Sequence, residues 1–351
     1  MEHKNPEFCF KATGIGSVPF VEIHDTCARI LERLPHMPYW PQFVKRSPLE
    51  DMGIQYCEGL PLLHVNKERR TLLLSTEDVE SALVTFYERF MSDQVTPFAI
   101  GEAHAPGLYS IIASVRNDPD ACGPFIKGQS VGPVTFAGGI RHADGKSLLH
   151  HPNLLEAMVK GIAIKALWQV RELETTGKAP VLFLDEPSLS GFGSAFSAIE
   201  RHEVIALLGE VIQYVRERTS ALIGIHCCGN TDWGMIIESG PDIVNFDAYS
   251  YMETFLLYPE EISGFLKDGG TIAWGIVPTA DFTGEETIDA LFTRLEQGLE
   301  KIQGWGIPTE TLARQSLLTP ACGMGSMEPP AAEKVLDLLA SLSERCMRTC
   351  R

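Results

Sequence analysis

Two short stretches carry side chains whose types and spacing could hold a metal ion. The first is Ile223-Gly224-Ile225-His226-Cys227-Cys228-Gly229-Asn230, an apolar run that ends in His-x-Cys and then turns. Alternate residues of an extended strand point the same way, so His226 and Cys228 can reach one ion together while Cys227 points to the opposite side. Imidazole and thiolate are both zinc ligands. The second stretch is Leu318-Thr319-Pro320-Ala321-Cys322-Gly323-Met324-Gly325, in which Cys322 follows another apolar strand. His-x-Cys alone reads equally well as buried structural cysteine; a second Cys-Gly turn after another strand favours a metal. Cys-His-Cys with an exchangeable fourth position is the open kind of zinc site that does chemistry. Zinc keeps a coordinating thiol deprotonated at neutral pH, so the reacting group would be a substrate thiolate. His226, Cys228 and Cys322 are thus the candidate catalytic residues as well as the candidate ligands.

Further polar residues fall just after apolar runs: Ser17 in Gly14-x-Gly16-Ser17, Glu102 after Phe98–Ile100, Asp185 and Glu186 in Asp185-Glu186-Pro187, and Asp247 after 242–246. Asp185 and Glu186 could hold a substrate ammonium group; otherwise they are a solvated pair of loop acids. Ser17 reads equally well as a turn residue or helix cap, and His104 beside Glu102 as a surface residue.

The elements that must position these residues alternate. Strands are expected at 8–15, 60–65, 98–100, 181–184, 221–225, 242–246, 271–276 and 315–318, and 125–135 is expected to hold the turn Gly128-Gln129-Ser130-Val131-Gly132-Pro133. Helices are expected at 22–34, 76–91, 108–115, 153–176, 198–218, 260–267, 286–303 and 331–345, from apolar residues at helical spacing. Met37-Pro38-Tyr39-Trp40-Pro41-Gln42 cannot be helical and is expected as a loop across one face. Polar clusters at so many strand ends suit a (β/α)8 barrel, whose active site is built at the C-terminal ends of its strands. A doubly wound sheet also alternates but binds at one switch point. The expectation is one α/β TIM-barrel domain over 1–351, with an N-terminal extension and loop insertions. Gly14-x-Gly16 lacks the third glycine of a dinucleotide loop.

The 351 residues are 44% hydrophobic and 21% charged, ordinary for a globular chain. A net charge of −17 argues against nucleic acid and anionic membrane as partners. Nine cysteines without framework spacing point to a reducing compartment. The N-terminus lacks an apolar signal core and no run approaches the ~20 residues of a membrane span, so a cytoplasmic, soluble protein is expected.

These pieces together resemble the catalytic barrel of cobalamin-independent methionine synthase, within the superfamily shared with uroporphyrinogen decarboxylase and the corrinoid-dependent methyltransferases. The resemblance runs through Ile15-Gly16-Ser17, Lys127-Gly128 to Gly132-Pro133-Val134-Thr135, Leu184-Asp185-Glu186-Pro187, His226-x-Cys228 and Pro320-x-Cys322-Gly323. It implies zinc on His226, Cys228 and Cys322, and an amino-acid thiol substrate, homocysteine, with Ser17, Asp185 and Glu102 at its amino-acid end. Methionine synthases carry a glutamate as fourth ligand; the match here is Asp247, one methylene shorter. They also carry an extra N-terminal barrel, and this chain corresponds to the catalytic half alone. Uroporphyrinogen decarboxylases need basic residues near the first strand, and Gly14 to Phe20 has none.

The implied activity is methyl transfer to homocysteine to give methionine. A coenzyme M-type corrinoid methyltransferase and a zinc-binding methyl-transfer subunit are the alternatives. Folate-using synthases resemble one another in a histidine after the seventh strand, as the acid for the departing nitrogen. Gly275-Ile276-Val277-Pro278-Thr279 has none, and no histidine follows His226, which favours a corrinoid protein as methyl donor. The folate alternative would draw its proton from Asp281, Glu285 or Tyr249, with Lys127 and Arg141 as a small basic patch.

Overall fold

The computed structural model describes residues 6–142, 144–193 and 199–350. Among them, seven parallel strands form one curled sheet. They are β1 (Lys11–Ala12), β4 (Phe125–Val131), β5 (Ala179–Asp185), β6 (Leu222–Cys227), β7 (Ile243–Phe246), β8 (Thr271–Val277) and β9 (Ser316–Pro320), in the order β1-β9-β8-β7-β6-β5-β4. A separate antiparallel hairpin, β2 (Leu63–Asn66) and β3 (Thr71–Leu74), is inserted after the first helix. Strands β4, β7, β8 and β9 are buried along their whole length. That is what a parallel sheet covered on both faces requires, and why these runs lack polar alternation.

The expected closed eight-stranded barrel is not what forms. No eighth strand joins β1 to β4 among the described residues. The gap is spanned by the proline-rich stretch 38–42, expected as a surface loop. It makes two isolated parallel bridges, Ser17 to Gln42 and Tyr39 to Lys127. Lys127 N donates to Pro38 O at 2.8 Å, Gln42 N to Gly16 O at 3.0 Å and Val18 N to Gln42 O at 2.9 Å. Pro38 and Pro41 have no N–H, so a full ladder cannot form. Each missing hydrogen bond costs about 1 kcal/mol. Tyr39 and Trp40 are fully buried. Aromatics bury ~150–250 Å² each, on the order of 4–6 kcal/mol per ring at ~25 cal/mol/Å², so packing outweighs the lost bonds.

A buried amide network ties the stretch down. Trp40 Nε1 donates to Gln169 Oε1 at 2.9 Å, Gln169 Nε2 to Gln129 O at 2.9 Å, and Gln129 Nε2 to Trp40 O at 3.0 Å. The glycines just after β1 have their reason here. A Cβ on Gly14 would run into the Tyr39 ring, and one on Gly16 into Gln42 and Gln129.

The expected strand at 98–100 is instead a 3-10 turn, Thr96–Phe98, with Pro97 in its first turn. Expected helix 198–218 spans Arg201–Arg216, and residue 198 lies outside the described residues. Helix Pro152–Glu174 packs on β4 and β5. A short helix not expected, Pro133–Gly139, follows β4 directly, with Pro133 in its first turn. Inside the curl, Phe8, Met37, Phe125, Val181, Phe183, Ile243, Ala273 and Leu317 form their own apolar cluster, largely from the starts of the strands. Polar residues take the inward positions nearer the strand ends. Among the described residues no helix is long and apolar enough to cross a membrane.

Candidate metal centre

Strand register assembles the site. Asp185 on β5 pairs with His226 on β6, His226 with Asn245 on β7, and Asn245 with Ala273 on β8. These four side chains form one row on the inner face, because residues in register share a face. Cys228 lies two residues past His226 on the same side. Cys322 follows β9, across the curl. One nitrogen of His226 and the sulfurs of Cys228 and Cys322 lie within 4.8 Å of one another. His226 is buried, and both cysteines are partly exposed, so the cluster opens toward the mouth.

The imidazole is held from behind. His226 Nδ1 lies 2.6 Å from Asn245 Oδ1. Asn245 Nδ2 donates to Ala273 O at 2.8 Å and to Thr319 Oγ1 at 2.9 Å. His226 Nε2 is buried and has no partner in hydrogen-bond geometry. A buried polar atom so left calls for a ligand. Nitrogen, sulfur and sulfur, with a fourth position open, is a zinc donor set, so the residues present fit the metal.

The charges agree with that reading. The hydrogen bond with Cys322, and then the His226 imidazole, hold the Cys228 thiol down at about 4, far below an ordinary thiol. Cys322 is pushed up by the same bond with Cys228 and by burial. Burial lowers the His226 pKa, but the Cys228 sulfur and the Asp185 carboxylate outweigh it and the net shift is upward. Cys227, on the other face, sits in the core with its sulfur 3.8 Å from Ser190 Oγ, and burial raises it to about 11.

The remaining expected residues are placed differently from one another. Asp185 joins the cluster. It is buried, its Oδ1 has no hydrogen-bond partner, and burial raises it to about 6 against the pull of Lys127 and His226. Ser17 joins from the other side: its Oγ accepts from Gly325 N at 3.3 Å and its carbonyl from Met324 N at 2.9 Å. A Cβ on Gly323 would strike that hydroxyl, so glycine beside Cys322 is a packing requirement.

Glu186 turns away. It accepts from Val134 N at 2.9 Å, and from Thr135 N at 2.7 Å and Oγ1 at 2.6 Å, capping helix Pro133–Gly139 instead of facing a substrate. Asp247 stands outside the three-atom group, with its Oδ1 accepting Ser250 N at 2.8 Å to close a turn. Burial raises its pKa, and the Cys228 charge adds to that. Glu102 is exposed in the turn 101–104, because the strand expected before it does not form. That turn is anchored instead by Glu58, which takes Gly101 N at 2.6 Å and lies 3.0 Å from His104 Nδ1.

Two residues were not anticipated. Asn245 sits in Ile243-Val244-Asn245-Phe246, where a lone amide in an apolar strand is the only sign. Lys127, expected on a basic patch with Arg141, is wholly buried inside the curl. Its ammonium donates to Ile15 O and to Gln129 Oε1 at 3.1 Å, and lies 4.8 Å from the Phe183 ring centroid. Burial lowers it to about 7, with Asp185 pulling the other way.

No family model matches the chain, and no curated protein matches it. Among solved structures, a B12-independent methionine synthase from Shewanella sp. W3-18-1, in complex with selenomethionine, is similar with a TM-score of 0.45 and 19% identity, over 64% of this chain and 62% of that one. This chain thus spans less than two thirds of that protein's length. An A. niger ochratoxinase is similar with a TM-score of 0.26 and 14% identity, over 81% of this chain and 71% of that one. The functional reading rests on the site's own residues.

Proposed function

We propose that the chain is a zinc-dependent methyltransferase that alkylates a thiol, homocysteine, to give methionine, with a methylcorrinoid as donor. The observation that carries this is the meeting of His226, Cys228 and Cys322 within 4.8 Å, with His226 Nε2 buried and unpartnered. Zinc held by these three would keep a substrate thiol deprotonated at neutral pH.

The chain's other residues suit an amino-acid substrate. The Asp185 carboxylate lacks a partner at Oδ1, and a substrate ammonium would supply one and favour its ionised form. Ser17 Oγ accepts from Gly325 N, which leaves its hydroxyl proton free to donate to a substrate carboxylate. Glu186 and Asp247 are engaged with backbone N–H groups and set the loops around the mouth.

Proton supply favours a corrinoid donor, with Asp281, Glu285 and Tyr249 as the acids a folate donor would need instead. A methyl group leaving a folate nitrogen requires a positioned acid. Strand β8 ends at Val277, the next residues are Pro278 and Thr279, and no histidine follows His226. Lys127 is sealed inside the curl and cannot serve a surface-docked folate. In transfer from a methylcorrinoid, the methyl–cobalt bond breaks with both electrons left on cobalt, the sulfur–methyl bond forms, and no proton is needed at the leaving group.

The test is methionine formation from homocysteine with methylcobalamin and with methyltetrahydrofolate at equal concentration. Turnover with methylcobalamin is expected. Faster turnover with the folate overturns the donor assignment. Zinc uptake with transfer from neither donor makes the chain a metal-binding subunit and overturns the enzyme reading.

A further inference from the structure

We propose that His142, Asp144 and His151 form a second metal site, sharing no residue with the cysteine cluster, that takes a divalent transition-metal ion of the zinc kind and fastens the loop after helix Pro133–Gly139 to the start of helix Pro152–Glu174. One ligand atom from each of the three lies within 4.8 Å of the other two. Asp144 Oδ1 is 3.2 Å from His142 Nδ1, and Oδ2 is 3.4 Å from His151 Nε2. The two imidazole rings stand 4.0 Å apart, centroid to centroid.

The backbone holds the three donors in place before any ion enters. Gly145 N donates to His142 O at 2.9 Å, with Gly145 at φ +82°, and His142 N donates to Lys146 O at 2.9 Å. Arg141 and Ser147 pair antiparallel, and Leu148 N donates to Ile140 O at 3.0 Å. On the other side, His151 is the N-cap of its helix, its carbonyl taking Leu154 N at 3.0 Å and Leu155 N at 2.9 Å. Binding therefore need not supply the ordering entropy of these segments.

The chemistry singles out a metal. His151 Nε2 is buried and finds no partner in hydrogen-bond geometry, although a carboxylate oxygen is near. Such an atom is satisfied by an ion or a water. Imidazole selects zinc, copper, iron or nickel, whereas magnesium and calcium prefer all-oxygen sets. Asp144 is on the exposed side, so water completes the coordination.

The experiment is calorimetric titration of zinc alone into metal-stripped protein. The wild type should take up two equivalents. The pair His142→Ala and His151→Ala should take up one, and so should Cys228→Ser with Cys322→Ser. Asp144→Asn, which preserves size and is the least disruptive change, should weaken only the histidine site, by tenfold or more. Circular dichroism of each variant checks that the fold survives. A histidine double variant that takes up as much zinc as the wild type overturns the proposal. That result says nothing against the cysteine cluster, which is tested by the cysteine double variant.

Discussion

Asn245 accepts a hydrogen bond from His226 Nδ1 at 2.6 Å, and its other contacts fix the direction. The Ala273 carbonyl can only accept, so the Asn245 nitrogen must face it, and the amide oxygen must face the imidazole. Nδ1 is then the donor, and Nε2 is the atom presented to Cys228 and Cys322. A hydrogen-bonded partner of this kind sets both the tautomer and the orientation of a ligating histidine.

Asn245→Leu should therefore lower zinc affinity about 10–100-fold, the usual cost of losing such a partner. Asn245→Asp, which keeps an acceptor for Nδ1, should lose much less. Competition titration with a chromophoric chelator measures both, and equal affinity in the leucine variant and the wild type would show that the bond is irrelevant to the site.

Cys322→Ser should lose most of the bound zinc, and Cys227→Ser should keep it. The two differ because Cys227 faces Ser190 and the core, while Cys322 meets Cys228. Gly323→Ala should resemble Cys322→Ser in milder form, by pushing Ser17 and the cysteine loop apart. Metal analysis of the purified variants decides, and comparable loss from both serine variants would break the assignment.

Asp185→Asn should weaken thiol-substrate binding about tenfold or more and leave zinc content unchanged, since the carboxylate is offered to an ammonium. Substrate titration alongside metal analysis separates the two effects. Loss of zinc from this variant would make Asp185 a ligand.

Glu186 gives a pH prediction. Burial raises its pKa from 4.5 to about 7 in the fold. Below the lower value both states are protonated and nothing is lost. As pH rises through the window the unfolded chain releases its proton first, so stability falls, by at most about 3.5 kcal/mol at ~1.4 kcal/mol per pKa unit. Above about 7 the loss is complete and constant. Glu186→Gln should flatten this slope without touching zinc content. Urea unfolding at pH 5 and pH 8 measures it, and an unchanged slope would refute the role assigned to burial.

The sequence made His226, Cys228 and Cys322 legible because strand periodicity fixes which side chains share a face, and metal-binding types are rare enough to stand out. The place of Asp185 beside His226 was legible from its position at the end of its strand. Asn245 was not, since its role appears only when β6 and β7 lie side by side and Thr319 arrives from β9. Glu186 was misplaced because a helix of seven residues after Gly132 is too short to show periodicity, and its N–H groups claim the carboxylate. Glu102 failed with the strand before it, broken at Pro97.

The fold followed a similar division. Long runs such as 181–184 and 271–276 read as strands because burial on both faces leaves them uniformly apolar. Residues 38–42 read as a loop because prolines forbid a ladder, and nothing in their pattern shows that two aromatic rings would wedge them into a strand's place. Lys127 looked like a surface cation for want of any sign that its neighbours Ile126 and Gly128 face outward, toward the helices.

The pairing of Lys11 and Ala12 with Leu317 and Leu318 has a consequence for how the molecule comes into being. A ribosome delivers the first strand some three hundred residues before its neighbour. Until β9 emerges, β1 and β8 each present a bare edge to other chains in the crowded cell. The same late segment brings Cys322. A chain stopped before residue 316 would lack Cys322 and offer the cysteine cluster's ion only His226 and Cys228, so zinc at that cluster should be held more weakly than in the full chain.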